Sequence, residues 1–437
     1  MSIPVVTVGL AQEAVVGGLE RLHGPVTVVR RCSELAELIA ACQSGLAVAA
    51  VVAEGCEELT TTLVDRLGAV GVSIIALTDD PAEAKRLNSI GAVPALTGIE
   101  ANELAAKISE AVGRESRADM PAPAWDAGFA DPGAGLLLMP SSHPEAEEPP
   151  EGEGEVITVW GPIGAPGRTL LAVNIAAELA ADGKSVILVD ADSYGASVSA
   201  VLGLLDESAG LAQACRLADQ GLLDGEALKA VAIPVFTKGG TFRVLTGTTR
   251  ADRWTELRAG SVSTVLEVAR RLAEHVVVDA GFCLESDEEL SFDTVAPRRN
   301  AATLRSLEVA DVVFAVGAAD AIGVPRLVRG LAELEAAVPK VAPRVVLNKV
   351  KHSAVGHSPK QQLEDAWDRY GPGIGVDAYL PADTVACDAA LRSGSVLLEV
   401  APDSPLRTAI AELVCAPVQQ KRNSFGRSIR ALYHLKR

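Results

Sequence analysis

Apolar residues along this chain fall into short blocks, separated by stretches in which they recur at helical spacing. In the first part the blocks Val5–Leu10, Val26–Val29, Ala47–Ala53, Ser73–Leu77 and Val93–Leu96 read as buried strands. Amphipathic helices fit between them, for example Ser33–Ala41 and Ala101–Val112. From 114 to 154 the pattern stops, and Pro, Gly, Ala and acidic residues dominate, ending in HPEAEEPPEGEGE. Such a stretch has too little apolar surface to fold and predicts an extended acidic linker. Within it, Gly135–Met139 is a short apolar patch read as an accident of composition.

The alternation resumes at 155. Strands are predicted at Val156–Trp160, Val186–Val189, Phe242–Leu245, His275–Val278, Val312–Val316 and Arg344–Leu347, with a last one before Leu380-Pro381-Ala382-Asp383. Helices are predicted from near Arg168, over Ser261–Ala273 and over Ser404–Val414. Strands that alternate with helices build parallel sheets. The predicted fold class is therefore α/β, with two doubly wound parallel-sheet units over 1–113 and 155–418, and a separate tail over 419–437.

Candidate chemistry concentrates in EVITVWGPIGAPGRTLLAVNIAAELAADGKSVILVDAD, residues 155–192. A buried strand runs into a glycine-rich turn, Gly161 to Gly167, and a helix then starts near Arg168. Free loop N–H groups and a helix N-terminus attract an anion, and glycines let its oxygens approach the backbone. Two chemistries compete for this loop. Asp190 lies about twenty residues downstream, where a dinucleotide fold keeps its ribose acid. Against that, Gly161, Gly164 and Gly167 do not make G-x-G-x-x-G, and Arg168-Thr169 places a cation and a hydroxyl at the helix start. A phosphate loop needs both, the cation for phosphate oxygens and the hydroxyl for Mg²⁺. Asp279, a second acid ending a strand, suits a metal site and favours the phosphate-loop reading.

The segments GPIGAPGRT, VILVDAD, VVVDAG, VVLNKV and LPADTVACDAALRSG, in that order, resemble the MinD/ParA family of deviant Walker ATPases over essentially all of 155–415. The unit before them makes the chain more similar to the CpaE/TadZ branch and the related septum-site-determining proteins. The resemblance implies ATP and Mg²⁺ as cofactors. It implies a phosphate cradle of Gly161, Gly164, Ala165, Pro166, Gly167, Arg168, Thr169 and Leu170. It also implies Mg²⁺ held by Thr169 and Asp279, with Asp190 and Asp192 handling the attacking water alongside Arg168. Gly281 would sense the γ-phosphate, Asn348 would recognise the base, and Pro381 and Asp383 would flank it. The implied role is an ATP-dependent homodimer that positions division (septum-site) or Flp-pilus and secretion machinery.

Departures from the family pattern change the expected activity. The family's signature lysine is Ile163 here, which has no charge, and its loop lysine is Arg168, a larger planar fork. Pro166 removes one loop N–H. Losing one preorganised donor costs about a hundredfold in rate. ATP binding with weak or absent hydrolysis is the expectation, with Arg298 and Arg299 as candidate replacement charges. An ATPase that cycles under a partner and a nucleotide-free scaffold with a vestigial loop are the alternatives.

The first unit resembles a response-regulator receiver domain in outline only. Its first strand runs into Gly9-Leu10-Ala11, its third ends Ala53-Glu54 and its fifth ends Leu96-Thr97-Gly98. The acids and lysine of a working receiver are thus missing, and Thr78 alone matches its hydroxyl. A pseudo-receiver used for protein contacts is expected.

Charge refines the picture. The net charge is −18, yet the last seventeen residues carry six Lys or Arg and no acid, so the rest carries −24. A strongly acidic body argues against a nucleic-acid partner, since duplex binding rests on cation–phosphate contacts. In the tail, Phe425, Ile429, Leu432 and Leu435 share a helical face ringed by Arg427, Arg430, His434 and Lys436. That pattern predicts an amphipathic helix on an anionic membrane surface, as in MinD-type proteins. Seven cysteines without a CxxC pair read as buried thiols in a reducing compartment. With no signal-peptide pattern and no spanning run, a cytoplasmic protein peripheral to the inner face of the plasma membrane is expected.

Overall fold

Parallel strands covered by helices on both faces have no polar side, and here the central strands are apolar at nearly every position. The computed structural model describes residues 2–9, 13–21, 25–53, 55–118, 153–204, 209–286 and 297–415. The tail 419–437, the patch 135–139 and most of the predicted linker lie outside the described residues.

The first sheet holds β1 (Ile3–Val8), β2 (Val26–Cys32), β3 (Ala49–Val52), β4 (Ser73–Leu77) and β5 (Val93–Ala95). All pair in parallel in the order β2-β1-β3-β4-β5, the doubly wound order with its switch point between β1 and β3. β3 and β4 are buried along their whole length. The Thr78 hydroxyl accepts from the N–H of Asp80 and serves the turn after β4. The helix Ala101–Ala118 runs past 113, into the stretch predicted as linker.

The second sheet holds β6 (Glu155–Trp160), β7 (Val186–Ala191), β8 (Ile233–Phe236), β9 (Thr241–Leu245), β10 (His275–Ala280), β11 (Val312–Ala318), β12 (Arg344–Val350) and β13 (Val376–Pro381). The order is β13-β12-β11-β6-β10-β7-β9-β8, parallel except that β8 runs antiparallel to β9. β6 lies centrally, with β10 on one side and β11 on the other. That is the switch point, and a ligand crevice is expected beyond the C-terminal ends of these strands.

The helix Arg168–Ala181 is buried from Leu171 to Ala180. A helix apolar on nearly all sides belongs inside a core, and this one lies against the sheet with the helix Pro405–Cys415 across it. Two of its polar residues are satisfied. Asn174 accepts from the N–H of Leu397 at 2.8 Å and donates to the Leu170 carbonyl at 2.8 Å. Glu178, only 3% exposed, takes both arms of Arg407 at 2.7 Å.

The two units contact each other through polar groups on their helices. Thr61 donates to the Ala218 carbonyl at 3.1 Å, and both the N–H and the hydroxyl of Thr62 donate to Asp219. Arg86 donates to the Gln220 carbonyl at 2.9 Å. Among the described residues no helix is long and apolar enough to cross a membrane.

The Glu178–Arg407 pair yields a direct test of this packing. Removing one partner of a buried ion pair leaves the other charge uncompensated, at a cost of about 3 kcal/mol. Arg407→Ala should lose roughly that much in urea unfolding, whereas Arg407→Lys, which keeps the charge, should lose less. Equal losses in both would mean that packing of the guanidinium, not charge, holds the helix pair.

Candidate functional site

β6 ends at Trp160 and the chain enters the glycine loop. Gly164 has φ +123 and Gly167 has φ +98, and a Cβ on Gly167 would lie 2.6 Å from Asn348 Nδ2. Ala165 also takes a left-handed conformation, φ +51, which is strained for a residue with a side chain. What holds it is a set of donors on the loop's carbonyls. Arg168 Nη1 donates to Gly161 O at 2.7 Å, Lys349 Nζ to Ala165 O at 2.7 Å and Asn348 Nδ2 to Pro166 O at 2.8 Å. With three carbonyls gripped by side chains, the peptide dipoles of the loop are fixed. Oriented N–H groups of this kind, ahead of a helix N-terminus, make an anion cradle.

Three acids close the other side. Register pairs Asp279 of β10 with Asp190 of β7, so their carboxylates end neighbouring strands. Asp192 follows one turn on, and Arg168 Nη2 reaches its Oδ2 at 3.1 Å. The Asp192 Oδ1 accepts from the N–H groups of Tyr194 and Gly195. Asp190 accepts from the N–H groups of Val198 at 3.0 Å and Asp192 at 3.3 Å. Burial still pushes it up to about 7, against these hydrogen bonds. Asp279 differs from both: its two oxygens are buried and make no hydrogen bond within the described residues. Burial, and then the Asp190 charge, raise its pKa well above the carboxylate range, and nearby Thr169 and Arg168 offset this only in part. A buried carboxylate with both oxygens free of hydrogen bonds among the described residues suits a cation site.

A cavity of about 680 Å³ connects these parts. Ala165, Pro166, Gly167, Arg168, Thr169 and Leu170 line it at the loop, with Asp192 beyond. Asn348, Pro381, Ala382 and Asp383 line its far side. The structure thus gathers most of the sequence-predicted residues along this cavity; Gly161, Gly164, Asp190 and Asp279 do not line it. Thr169 Oγ1 lies 3.4 Å from Ser197 Oγ. Gly281 packs so closely that a Cβ there would come within 2.8 Å of Thr303 Oγ1 and 3.3 Å of Asp192 Oδ1.

Several predicted residues already have work in the free chain. Asp383 caps the helix Thr384–Ser393, accepting from Ala386 N and from Ser404 Oγ, and these bonds hold its pKa low. Arg299 lies 3.9 Å over the Tyr194 ring, and Ser193 Oγ donates to the Arg299 carbonyl. It therefore braces the turn after Asp192 and does not point a free charge at the loop. Arg298 does not line the cavity. Sequence reasoning missed Lys349, Lys351 and Ser197, which line the cavity. Lys349 adjoins Asn348 in LNKV, and its left-handed backbone, φ +61, is what turns its ammonium back to the loop.

No family model and no curated protein matches this chain. Solved structures do match in part. The cell division ATPase MinD of Pyrococcus furiosus is 18% identical over 60% of this chain and 97% of its own, with a TM-score of 0.46. A ParA family ATPase from Chlorobium tepidum is 18% identical, covering 60% and 99%, with a TM-score of 0.47. The septum site-determining protein MinD of Pyrococcus horikoshii, solved with Mg-ADP, is 17% identical, covering 60% and 94%, with a TM-score of 0.45. At such identities and scores no residue role crosses from them. The chemistry of this site has to come from its own side chains.

Asp279 makes the electrostatics testable. An acid whose folded pKa is raised holds a proton that the unfolded chain has released, so stability falls as pH rises between the two values. For Asp190 that window runs from about 4 to about 7. Asp279→Asn removes one of the two interacting charges. The free variant should melt higher than the parent by several degrees, at about 2–4 °C per kcal/mol. The gain should widen from pH 5 to pH 7.5. A melting temperature lowered by the substitution at pH 7.5 would contradict an unpartnered charge.

Proposed function

We propose that this chain binds ATP with Mg²⁺ at the 161–169 loop and acts as a MinD/ParA-like, nucleotide-gated positioning protein that turns ATP over slowly or not at all. The observation that carries this is the pairing of an anion cradle with an unpartnered buried carboxylate, Asp279, beside the Thr169 hydroxyl. Phosphate needs the first and a divalent cation the second. Thr169 and Asp279 would hold Mg²⁺, which when bound neutralises phosphate charge. Arg168 orients the loop through Gly161 and balances Asp192. The far side of the cavity, at Asn348, Pro381 and Asp383, is where the base would lie.

Slow turnover follows from the cations. Arg168 is committed to protein partners and its side chain is 12% exposed, and Ile163 offers no charge. Ile163 and Ile322, 60% and 63% exposed, are apolar groups beside the loop that a second copy would cover. In this reading ATP is the dimerisation ligand and the basic tail attaches the dimer to an anionic membrane. Two linked tails would bind far more tightly than one. The first sheet's unit would recruit division or pilus machinery. A nucleotide-free scaffold is the competing reading, favoured by the grip of Asn348 and Lys349 on the loop.

Thermal unfolding with millimolar Mg-ATP, together with phosphate release, tests the two. A ligand at 100 times its Kd stabilises by about 2.7 kcal/mol, so the melting temperature should rise by several degrees. Ile163→Lys with Arg168→Lys should hydrolyse about a hundredfold faster than the parent. Absence of any shift in the parent chain would leave the scaffold reading.

A further inference from the structure

Arg326 belongs to the helix Gly323–Ala337, which follows β11 and lies far from the loop in sequence. Its guanidinium nevertheless rests on the loop: a Cβ placed on Gly164 would lie 2.6 Å from Arg326 Nη1. Residue 164 needs to be glycine for its φ of +123, and a side chain there would also push the end of Arg326 aside. A cavity of about 440 Å³ opens at this contact, bounded by Ile163, Gly164, Asp320, Ile322 and Arg326.

The state of the neighbouring cations singles this arginine out. Arg168 is held by Gly161 and Asp192, Lys349 by Ala165, and Arg299 by the face of Tyr194. Lys351 lines the nucleotide cavity from the end of β12. Arg326 is exposed, its N–H donates to the Ile322 carbonyl at 3.3 Å, and its guanidinium makes no hydrogen bond or ion pair among the described residues. The acid that lines this cavity with it, Asp320, is already taken: its Oδ1 accepts from the N–H groups of Ile322 and Gly323. An arginine with its fork free, parked against a phosphate-loop glycine, is ready for a phosphate oxyanion.

We propose that Arg326 reads the terminal phosphate of the bound nucleoside triphosphate, supplying from the β11 crossover the charge that Ile163 lacks and Arg168 cannot release. This rests on the nucleotide reading above. Arginines supplied from outside a phosphate loop serve this purpose in other phosphoryl-transfer sites. The phosphate read is either that of the chain's own loop or that of a second copy seated over Ile163 and Ile322, and the chemistry is the same.

The test is calorimetric titration of the full chain with Mg-ATP and with Mg-ADP, beside Arg326→Ala and Arg326→Lys. Arg326→Ala should weaken ATP by about tenfold or more and leave ADP within about twofold, since a charged hydrogen bond is lost only with the triphosphate. Arg326→Lys should recover part of the loss. Repeating the titrations below and above the concentration at which sedimentation detects dimer separates the sources. A loss that persists in monomer assigns the chain's own phosphate, and a loss confined to dimer assigns the second copy's. An unchanged ATP-to-ADP preference in Arg326→Ala, with the parent binding both, overturns the inference alone. A parent chain that binds neither nucleotide overturns the nucleotide reading and the inference with it.

Discussion

Two carboxylates, Asp190 and Asp279, end adjacent strands inside the protein, and a third, Asp192, stands one turn away. Burying that much negative charge is unfavourable unless each group is protonated, hydrogen-bonded or paired with a cation. The chain uses a different remedy for each. Asp190 takes backbone N–H groups and a raised pKa, Asp192 takes Arg168, and Asp279, with no hydrogen bond among the described residues, has a raised pKa that the nearby Thr169 hydroxyl and Arg168 charge offset only in part. Much of the loop's arrangement follows from this. Arg168 must stay near Asp192, and in staying it also grips Gly161 O and closes the loop's first turn.

The loop itself is held by its carbonyls. Gly161, Ala165 and Pro166 each present an oxygen to a side-chain donor, from Arg168, Lys349 and Asn348. Two of those donors come from the end of β12, two strands from β6. The left-handed backbone at both Ala165 and Lys349 is strain of order 1–3 kcal/mol each, held in place by the hydrogen bond between them. A cradle tied from outside is preorganised, and preorganisation is what turns a row of glycines into an anion site.

How much of this was legible in the sequence depended on range. Buried parallel strands announce themselves as apolar runs, so β3, β4, β6, β7 and β10 were readable from pattern alone, while the strand order was not. β8 was not, because Ile-Pro-Val-Phe is short, carries a proline and alternates between half-buried and exposed at the sheet edge. The end of the helix Ala101–Ala118 was misjudged because its last turn is as polar as the segment after it. In the site, acids at strand ends and glycines ahead of a helix have local signatures. Which oxygen or ammonium each meets has none. Asp383 was expected to flank the base; that its carboxylate also caps a helix and holds Ser404 has no local signature. Arg298 and Arg299 were chosen for closeness in sequence to Asp279, and Arg299 lies on Tyr194.

A point change in a phosphate loop is therefore poorly judged from the loop alone. Replacing a compact ammonium by a guanidinium at 168 adds a second arm, and that arm finds Asp192, fixing the side chain away from solvent. The same fork that strengthens the free loop removes its freedom to follow a phosphate. In the proposed nucleotide site, charge for that purpose would come from an element that packs on the loop without belonging to it. The helix after β11 is well suited, because β11 is paired directly with β6 and its crossover opens beside the loop's first glycines. An exposed arginine there is easily passed over as surface solvation. Its contact with Gly164 is what distinguishes it: the end of its side chain rests against the loop's left-handed glycine, although the two positions lie far apart in sequence.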